Sequence, residues 1–502
     1  MPKLIDPIHI GDRVEMLLDT YLVYEQFNTR LRMHPPEKRE IVLRMEKPWE
    51  GIGSGIYSCV FRDHEGRYRM YYRGTALSAD EDVNTTDGSE LQYTCMAVSD
   101  DGITWTRPDL GIVEFNQKKD NNIIFSGRMA HNFSPFPDTN PAAPEAKRYK
   151  AVAGHAPEGL MAYCSPDGLN WKPLAKKPVI TEGAFDSHNL CFYDVNIGKY
   201  RCYSRYFAVP GTERQVNDFL GICVGIRAIQ SNTSPDMLAW DKPVVNTYAD
   251  SVPLEQFYTN ATVMCPGAEH IYLSFPMRFM AERFKIDEHP HVGVSDAVFM
   301  SSRDGVHFDR LFLDSWIRPD LDRRNWSQRN YITSWGILET SPEEFSLYVG
   351  EHYEWDDAYI RRYTVRRHGF VSMYAPYEGG EFVTKPISFK GDSLYLNYST
   401  AAPGSIRVGI IADETGWPAK KFSTEECDII YGNELDHRVT WKGSGDLSRF
   451  SGKSVRLKFE MKAADLFSFR FGKYEDRAAA QPTANDVPIE QKSNRKQTSR
   501  KQ

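Results

Sequence analysis

The sequence predicts an all-β protein, a five-bladed β-propeller followed by a C-terminal β-sandwich. Three observations predict it. A turn motif recurs, as SDDGITW at 99–105, SPDGLNW at 165–171 and SSRDGVHF at 301–308. Apolar and aromatic residues alternate in short runs bounded by Gly, Asp and Pro, which is the period of half-buried strands, and helical periodicity is nearly absent. Near residue 377 the strands continue but the motif stops.

The glycines of the motif are Gly102, Gly168 and Gly305, and the second gap is about twice the first. A further copy is therefore expected midway. SNTSPDMLAW at 231–240 keeps Ser-Pro-Asp and the Trp but lacks the Gly, and RRHGFVS at 366–372 reads as a loose fifth copy. The period of roughly 65–70 residues accommodates five units. Asp-Gly is expected to turn the chain between the third and fourth strands of a blade, because Gly adopts φ > 0 without steric cost.

Each unit offers the same strands in order. Unit one has IYSCVFRD, EGRYRMYYRG and LQYTCMAVSDDG; unit two has FSPFPD, RYKAVAG and LMAYCSPDG. Unit three has LCFYDVNIG, KYRCYSRYF and LGICVGIRAI; unit four has NATVMCPG, IYLSFPMRF and DAVFMSSRDG. Unit five has YITSWGIL, FSLYVGEHY and DAYIRRYTVRR. Val, Ile, Tyr and Phe in alternation suit antiparallel strands, and repetition of such units suits a propeller. Then come GGEFVTKPISFKGDSLYLNYST, SIRVGIIAD, HRVTW and SVRLKFEMKAADLFSFRFG, spaced as in a sandwich. The expected division is 1–40 as an N-terminal segment packing on the propeller, 41–376 as the catalytic propeller, 377–473 as the sandwich and 474–502 as a disordered tail.

Net charge is −7 over 502 residues, which argues against nucleic acid as a partner. No apolar run approaches the roughly 20 residues that span a bilayer, so no membrane is expected. The N-terminus has no continuous apolar core of a signal peptide, which implies a cytoplasmic protein as written, or a periplasmic or secreted one if a signal was removed. The eight cysteines are single, without a CxxC pair, and read as buried free thiols rather than zinc ligands or nucleophiles. GIGSG at 51–55 is followed by no helix and is not a dinucleotide loop; EHPHV at 288–292 reads as a solvated loop. No cofactor is implied, although an axial ion such as calcium is left open. Oligomeric state is unknown from sequence.

This plan, with its Ser-x-Asp-Gly-x-x-Trp turns, resembles the five-bladed glycoside hydrolases of families 32, 43, 68 and 117, and the turns are similar to the Asp-boxes of sialidases. The resemblance covers roughly residues 15–475 and comes nearest to uncharacterised bacterial proteins grouped near family 32. Family 32's Asn-Asp-Pro-Asn-Gly, Arg-Asp-Pro and Glu-Cys signatures are not clearly present, so no catalytic residue transfers by motif.

The resemblance implies a site at one mouth of the propeller axis, near the starts of the first strands, with two carboxyl groups across a glycosidic bond. Asp186, in EGAFDSHNLCFYD, is the candidate base or nucleophile, and Glu255, in PLEQFYTNATV, the candidate proton donor. Glu50, in KPWEGIG, and Glu351, in YVGEHYEW, are further catalytic candidates, and Asp19 a weaker one. Trp49, Arg73, His131, Asn132, His188, Arg205, Tyr258 and Arg278 are candidates to bind substrate, with Arg73, Arg205 and Arg278 each ending a second strand on what could be one rim. Trp335 is expected in the core. The function expected is a glycoside hydrolase, exo-acting on a terminal sugar, with a carbohydrate as partner. The alternatives are a non-catalytic carbohydrate-binding propeller and a polysaccharide lyase using His188 with Arg205.

Overall fold

The computed structural model describes residues 6–77, 91–155, 157–209, 215–216, 225–412 and 417–474. The tail expected to be disordered, from 475 onward, and the loop 78–90 lie outside the described residues, as does most of the loop 208–219. Among the described residues there is no α-helix, only strands and short 3-10 turns.

Five antiparallel sheets form the propeller. Blade one comprises Cys59–Arg62, Tyr68–Thr75, Gln92–Ser99 and Ile123–Ser126, and blade two Ser134–Pro137, Tyr149–His155, Gly159–Ser165 and Lys172–Pro173. Blade three comprises Leu190–Asp194, Lys199–Ala208, Ile226–Ser234 and Val244–Val245. Blade four has Val263–Cys265, Ala268–Ser274, Met300–Ser302 and Phe308–Asp309, with an added hairpin, Met277–Met280 against Val294–Ala297. Blade five begins with Ile332–Thr333, Glu344–Glu351 and Tyr359–Arg366, but its fourth strand is Glu37–Arg44, from the other end of the chain. The 366–372 segment is therefore not a fifth copy of the motif. His368 and Gly369 lie in the turn after Tyr359–Arg366, and the next strand, Val371–Ala375, leaves for the C-terminal sheet. Strand exchange between the ends of the chain closes the ring, with Glu37–Arg44 as the outer edge of blade five.

The motif turns are built alike. Ser99 Oγ accepts from Gly102 N at 2.8 Å, Asp101 Oδ1 accepts from Ile103 N and Thr104 N at 2.7 Å each, and Trp105 Nε1 donates to Gly102 O at 3.1 Å. The copies at Ser165, Ser234 and Ser302 repeat the Ser and Asp bonds. Each glycine also meets the preceding blade. Tyr71 Oη donates to Gly168 O at 3.1 Å, Tyr203 Oη to Gly305 O at 2.8 Å, and Tyr348 Oη to Gly102 O. A Cβ on Gly168 would lie 2.7 Å from Tyr71 Oη, so glycine is required by close approach as well as by its φ of 75°.

The third copy, with Met237 at φ 66°, explains its missing glycine through its neighbour. In blades one to three an inner-strand aspartate pairs with a cation on the second strand: Asp63 with Arg69, Asp138 with Lys150, and Asp194 with Arg201. Two residues beyond the cation stand Tyr71, Val152 and Tyr203. Where the tyrosine is replaced by valine, the glycine that would receive it is replaced by a methionine. Met237 and Val152 are both fully buried in the same core.

The C-terminal β-sandwich is built on two long strands, Ser393–Ala412 and Val455–Gly472, paired along most of their length. Their alternation buries Leu394, Leu396, Val408, Ile410, Leu457, Phe459, Phe469 and Phe471 in one core. N-terminal strands join this sheet: Ile8–Gly11, Glu15–Met16, Val23–Phe27 and Arg30–Met33. The segment expected to pack on the propeller thus supplies sandwich strands, and it also ties to blade four through Arg303, 3.2 Å from Glu15 and 2.8 Å from Asp19. Those pairs give Asp19 a structural partner away from the axis.

Trp335 plugs the axis. It makes a parallel bridge to Cys59 of blade one, packs edge-on to Phe136 of blade two, stacks on Phe192 of blade three, and donates from Nε1 to Thr262 O of blade four at 3.0 Å. One tryptophan from blade five therefore meets the other four blades.

Candidate active site at the axial mouth

Above this plug, polar residues from all five blades converge. Tyr57, just before the inner strand of blade one, stacks on His188 of blade three at 5.6 Å and meets His131 of blade two edge-on at 5.7 Å. Arg73, ending the second strand of blade one, lies over the Tyr57 ring at 5.4 Å and donates to Tyr353 Oη of blade five at 3.1 Å. Arg329 donates to the same phenol at 3.0 Å. Arg205 of blade three and Arg329 both lie over the ring of Tyr258 of blade four, at 5.3 Å and 5.8 Å.

Asp186 is the half-open carboxylate of this cluster. Its Oδ1 is 3.1 Å from His131 Nε2 and its Oδ2 is 4.0 Å from Arg205. Burial alone would raise its pKa, but the contact with His131 and the Arg205 charge outweigh it and hold the carboxyl well below the usual range. Burial pushes His131 down to about 4 against the pull of Asp186. At neutral pH the imidazole is therefore uncharged, with Nε2 facing the Asp186 carboxylate and Nδ1 2.9 Å from Gln92 Oε1. His188 is lowered by burial to about 3, with Nε2 3.4 Å from Cys59 Sγ and Nδ1 buried without a hydrogen-bond partner. Burial, chiefly, raises Tyr353 to about 12 and Tyr57 well above the ordinary phenol value.

The backbone here is strained. Tyr57, Arg329 and Glu354 have φ of 52°, 54° and 61°, a region costing bulky residues about 1–3 kcal/mol each. Glu354 is closed to solvent, accepts from Gln328 Nε2 at 2.8 Å, and has Oε1 3.9 Å from Arg329 Nη2 without a hydrogen bond. His289, expected in a solvated loop, is buried beside it, with Nε2 3.2 Å from Tyr353 O.

The other carboxylate candidates are held elsewhere. Glu255 gives Oε1 to Arg278 at 2.6 Å and Oε2 to Arg310 at 3.1 Å, in a groove of 690 Å³ lined by Gln256, Phe279, Asp296 and Trp326. The segment is extended, so Gln256 turns to Arg227 while Glu255 turns away from it. Arg278 is committed to that groove, chelating Asp296 at 2.6 Å, and Arg329 takes the third arginine position at the mouth. Glu50 accepts from Tyr72 Oη at 2.6 Å, Arg107 Nε at 2.7 Å and Glu46 N at 3.0 Å, and its side chain is closed to solvent. Glu351 is saturated by Asn325, Tyr359, Arg361, Tyr363 and Lys38.

Of the binding candidates, Arg73, His131, His188, Arg205 and Tyr258 meet at the mouth. Asn132 is committed to structure, donating to Gly154 O at 2.8 Å and Phe185 O at 2.7 Å. Trp49 stands away from the axis, edge-on to Phe115 and bonded to Asn122 at 2.8 Å. Tyr57, Tyr353 and Glu354 escaped the sequence reading. The signal for the last two was the HYE after Glu351: the chain turns at His352, with φ 56°, and carries the next side chains to the mouth. Among the described residues, no group of three or more His, Cys, Asp or Glu is placed to hold a metal ion, and no helix is long and apolar enough to cross a membrane.

No family model matches the chain. No curated protein matches it either. Solved structures share its outline. One described as a glycoside hydrolase is 14% identical, covering 66% of this chain and 92% of its own, with a TM-score of 0.42. The exo-inulinase of Aspergillus awamori is 11% identical over 87% of this chain and 99% of its own, at 0.37. An N-acetylgalactosamine deacetylase from F. plautii, complexed with blood group B trisaccharide, is 12% identical over 68% and 96%, at 0.39. Likeness at this level assigns no activity.

Proposed function

We propose that the protein is a glycoside hydrolase acting on a terminal sugar at the axial mouth, with Asp186 as the ionised carboxylate that activates water or attacks the anomeric carbon. The observation that carries this reading is the Asp186–His131 pair, in which a neutral imidazole orients a half-open carboxylate held charged among arginines and tyrosines. A carboxylate held so far down cannot be the proton donor. Glu354, whose Oε1 has no hydrogen-bond partner, is the candidate for that task and must be uncovered by substrate binding to perform it.

The test is a panel of aryl glycosides and oligosaccharides, with products separated by chromatography. Release of a monosaccharide by the native protein and not by Asp186→Asn is the expected result. One observation favours a second reading, a non-catalytic carbohydrate-binding propeller: Glu50, Glu255 and Glu351 are all locked in ion pairs. Saturable sugar binding with no product across the panel would establish that reading instead.

A further inference from the structure

The charges of the mouth run against those of the chain. The protein carries −7 overall, yet Arg73, Arg205 and Arg329 gather here against the carboxylates of Asp186 and Glu354. The three are not equally occupied. Arg73 is tied to Gly53 O and Tyr353 Oη. Arg205 is buried, donates from Nη2 to Asp186 O, has Nε without any hydrogen-bond partner, and stands 4.0 Å from the nearest Asp186 carboxylate oxygen. Arg329 is buried, bonded to Gln328 Oε1 at 3.1 Å and to Tyr353 Oη at 3.0 Å, but only within 3.9 Å of Glu354. Both guanidiniums lie over one tyrosine ring, Tyr258, as does that of Arg227 at 5.1 Å, which is bonded to Gln256. Cations gathered around one ring where water is scarce favour an anion among them. Each has a carboxylate only at the outer limit of ion pairing, Asp186 at 4.0 Å and Glu354 at 3.9 Å.

We infer that Arg205 and Arg329 are the recognition pair for an anionic substituent on the sugar, a carboxylate or a sulfate, with the Tyr57, Tyr258 and Tyr353 rings framing the sugar beside it. A guanidinium presents its donors as a planar fork that matches either group bidentately, and Arg205 Nε and the buried Nδ1 of His188 are polar atoms in this cluster left without partners. The inference rests on the axial mouth being a sugar site, and it adds the substrate class: a uronic acid or a sulfated sugar rather than a neutral one.

The experiment titrates the full chain, by calorimetry, with galacturonate, galactose 6-sulfate and galactose, and repeats the series from 50 to 300 mM salt. At least tenfold tighter binding of one anionic sugar than of galactose is expected, with the preference shrinking as salt rises and disappearing in Arg205→Met. The tighter of the two anions names the substituent. Equal or tighter binding of galactose by the native protein overturns the inference, and needs no variant to fold. Arg205→Lys, which keeps the charge and loses the fork, is expected to retain part of the preference. A failure here is distinguishable from failure of the hydrolase reading. Asp186-dependent release of a neutral sugar without anion preference refutes only the anionic class. Anion preference without monosaccharide release, or with an unsaturated product absorbing in the ultraviolet, refutes only hydrolysis.

Discussion

The exchange of Gly for Met at position 237 can be tested by restoring the pattern of the other blades. Met237→Gly relieves a left-handed residue, worth about 1–2 kcal/mol, but removes a fully buried side chain, which costs roughly 2–5 kcal/mol. Packing outweighs strain, so the single change should destabilise by about 1–3 kcal/mol. Val152→Tyr alone forces a ring and a hydroxyl into space where methionine packs, at a cost of roughly 1–3 kcal/mol. Together they rebuild the arrangement of Tyr71 with Gly168, in which the phenol donates at 3.1 Å to the turn carbonyl. The double variant should recover about 2 kcal/mol relative to the sum of the singles, within the range measured for contacting pairs. Urea denaturation followed by tryptophan fluorescence reads all four proteins, compared at their midpoints because a two-domain chain need not unfold in one step. Additivity within about 0.5 kcal/mol would falsify the compensation.

Two further outcomes follow from the ion pairs. Glu50→Ala strands Arg107 in a site where the carboxylate is closed to solvent, so a loss of about 3 kcal/mol in stability is expected; turnover per folded molecule should stay unchanged, which separates a structural Glu50 from a catalytic one. For Glu15, burial raises the pKa but the His270 imidazole 3.5 Å away and the Arg303 charge outweigh it and lower it to about 2. A depressed carboxyl stabilises above its unfolded value of 4.5, and that contribution, roughly 3 kcal/mol, is lost as pH falls from 4.5 through 2. The urea midpoint of the native protein should fall across this window, and Glu15→Gln should start lower and flatten the slope; parallel slopes would contradict the assignment.

The strands were legible because each carries its own alternation, and the turn motif because Ser, Asp and Gly bond within a few residues. Even the degraded copy at 234–240 could be found from spacing alone. What stayed hidden depended on distant partners. EKREIVLR, mostly exposed and charged, does not announce that it completes blade five, since that pairing joins residues more than 300 apart. Glu255 and Asp186 looked equivalent, each in a polar-aromatic stretch before an inner strand. Only the positions of Arg278 and Arg310 reveal that Glu255 is occupied. Tyr353 and Glu354 lie beyond a left-handed turn at His352, where strand period no longer says which way a side chain points.

The most direct test of chemistry at the axis compares Asp186→Asn with Glu255→Gln on the first substrate that the native protein turns over, with both variants checked for folding by near-ultraviolet circular dichroism. Asp186→Asn should lose at least about a hundredfold in kcat, the scale of a removed acid–base or nucleophilic group, and Glu255→Gln should stay within about tenfold of native. The reverse order, with Glu255→Gln inactive and Asp186→Asn active, would place the chemistry in the blade-four groove and contradict an axial site.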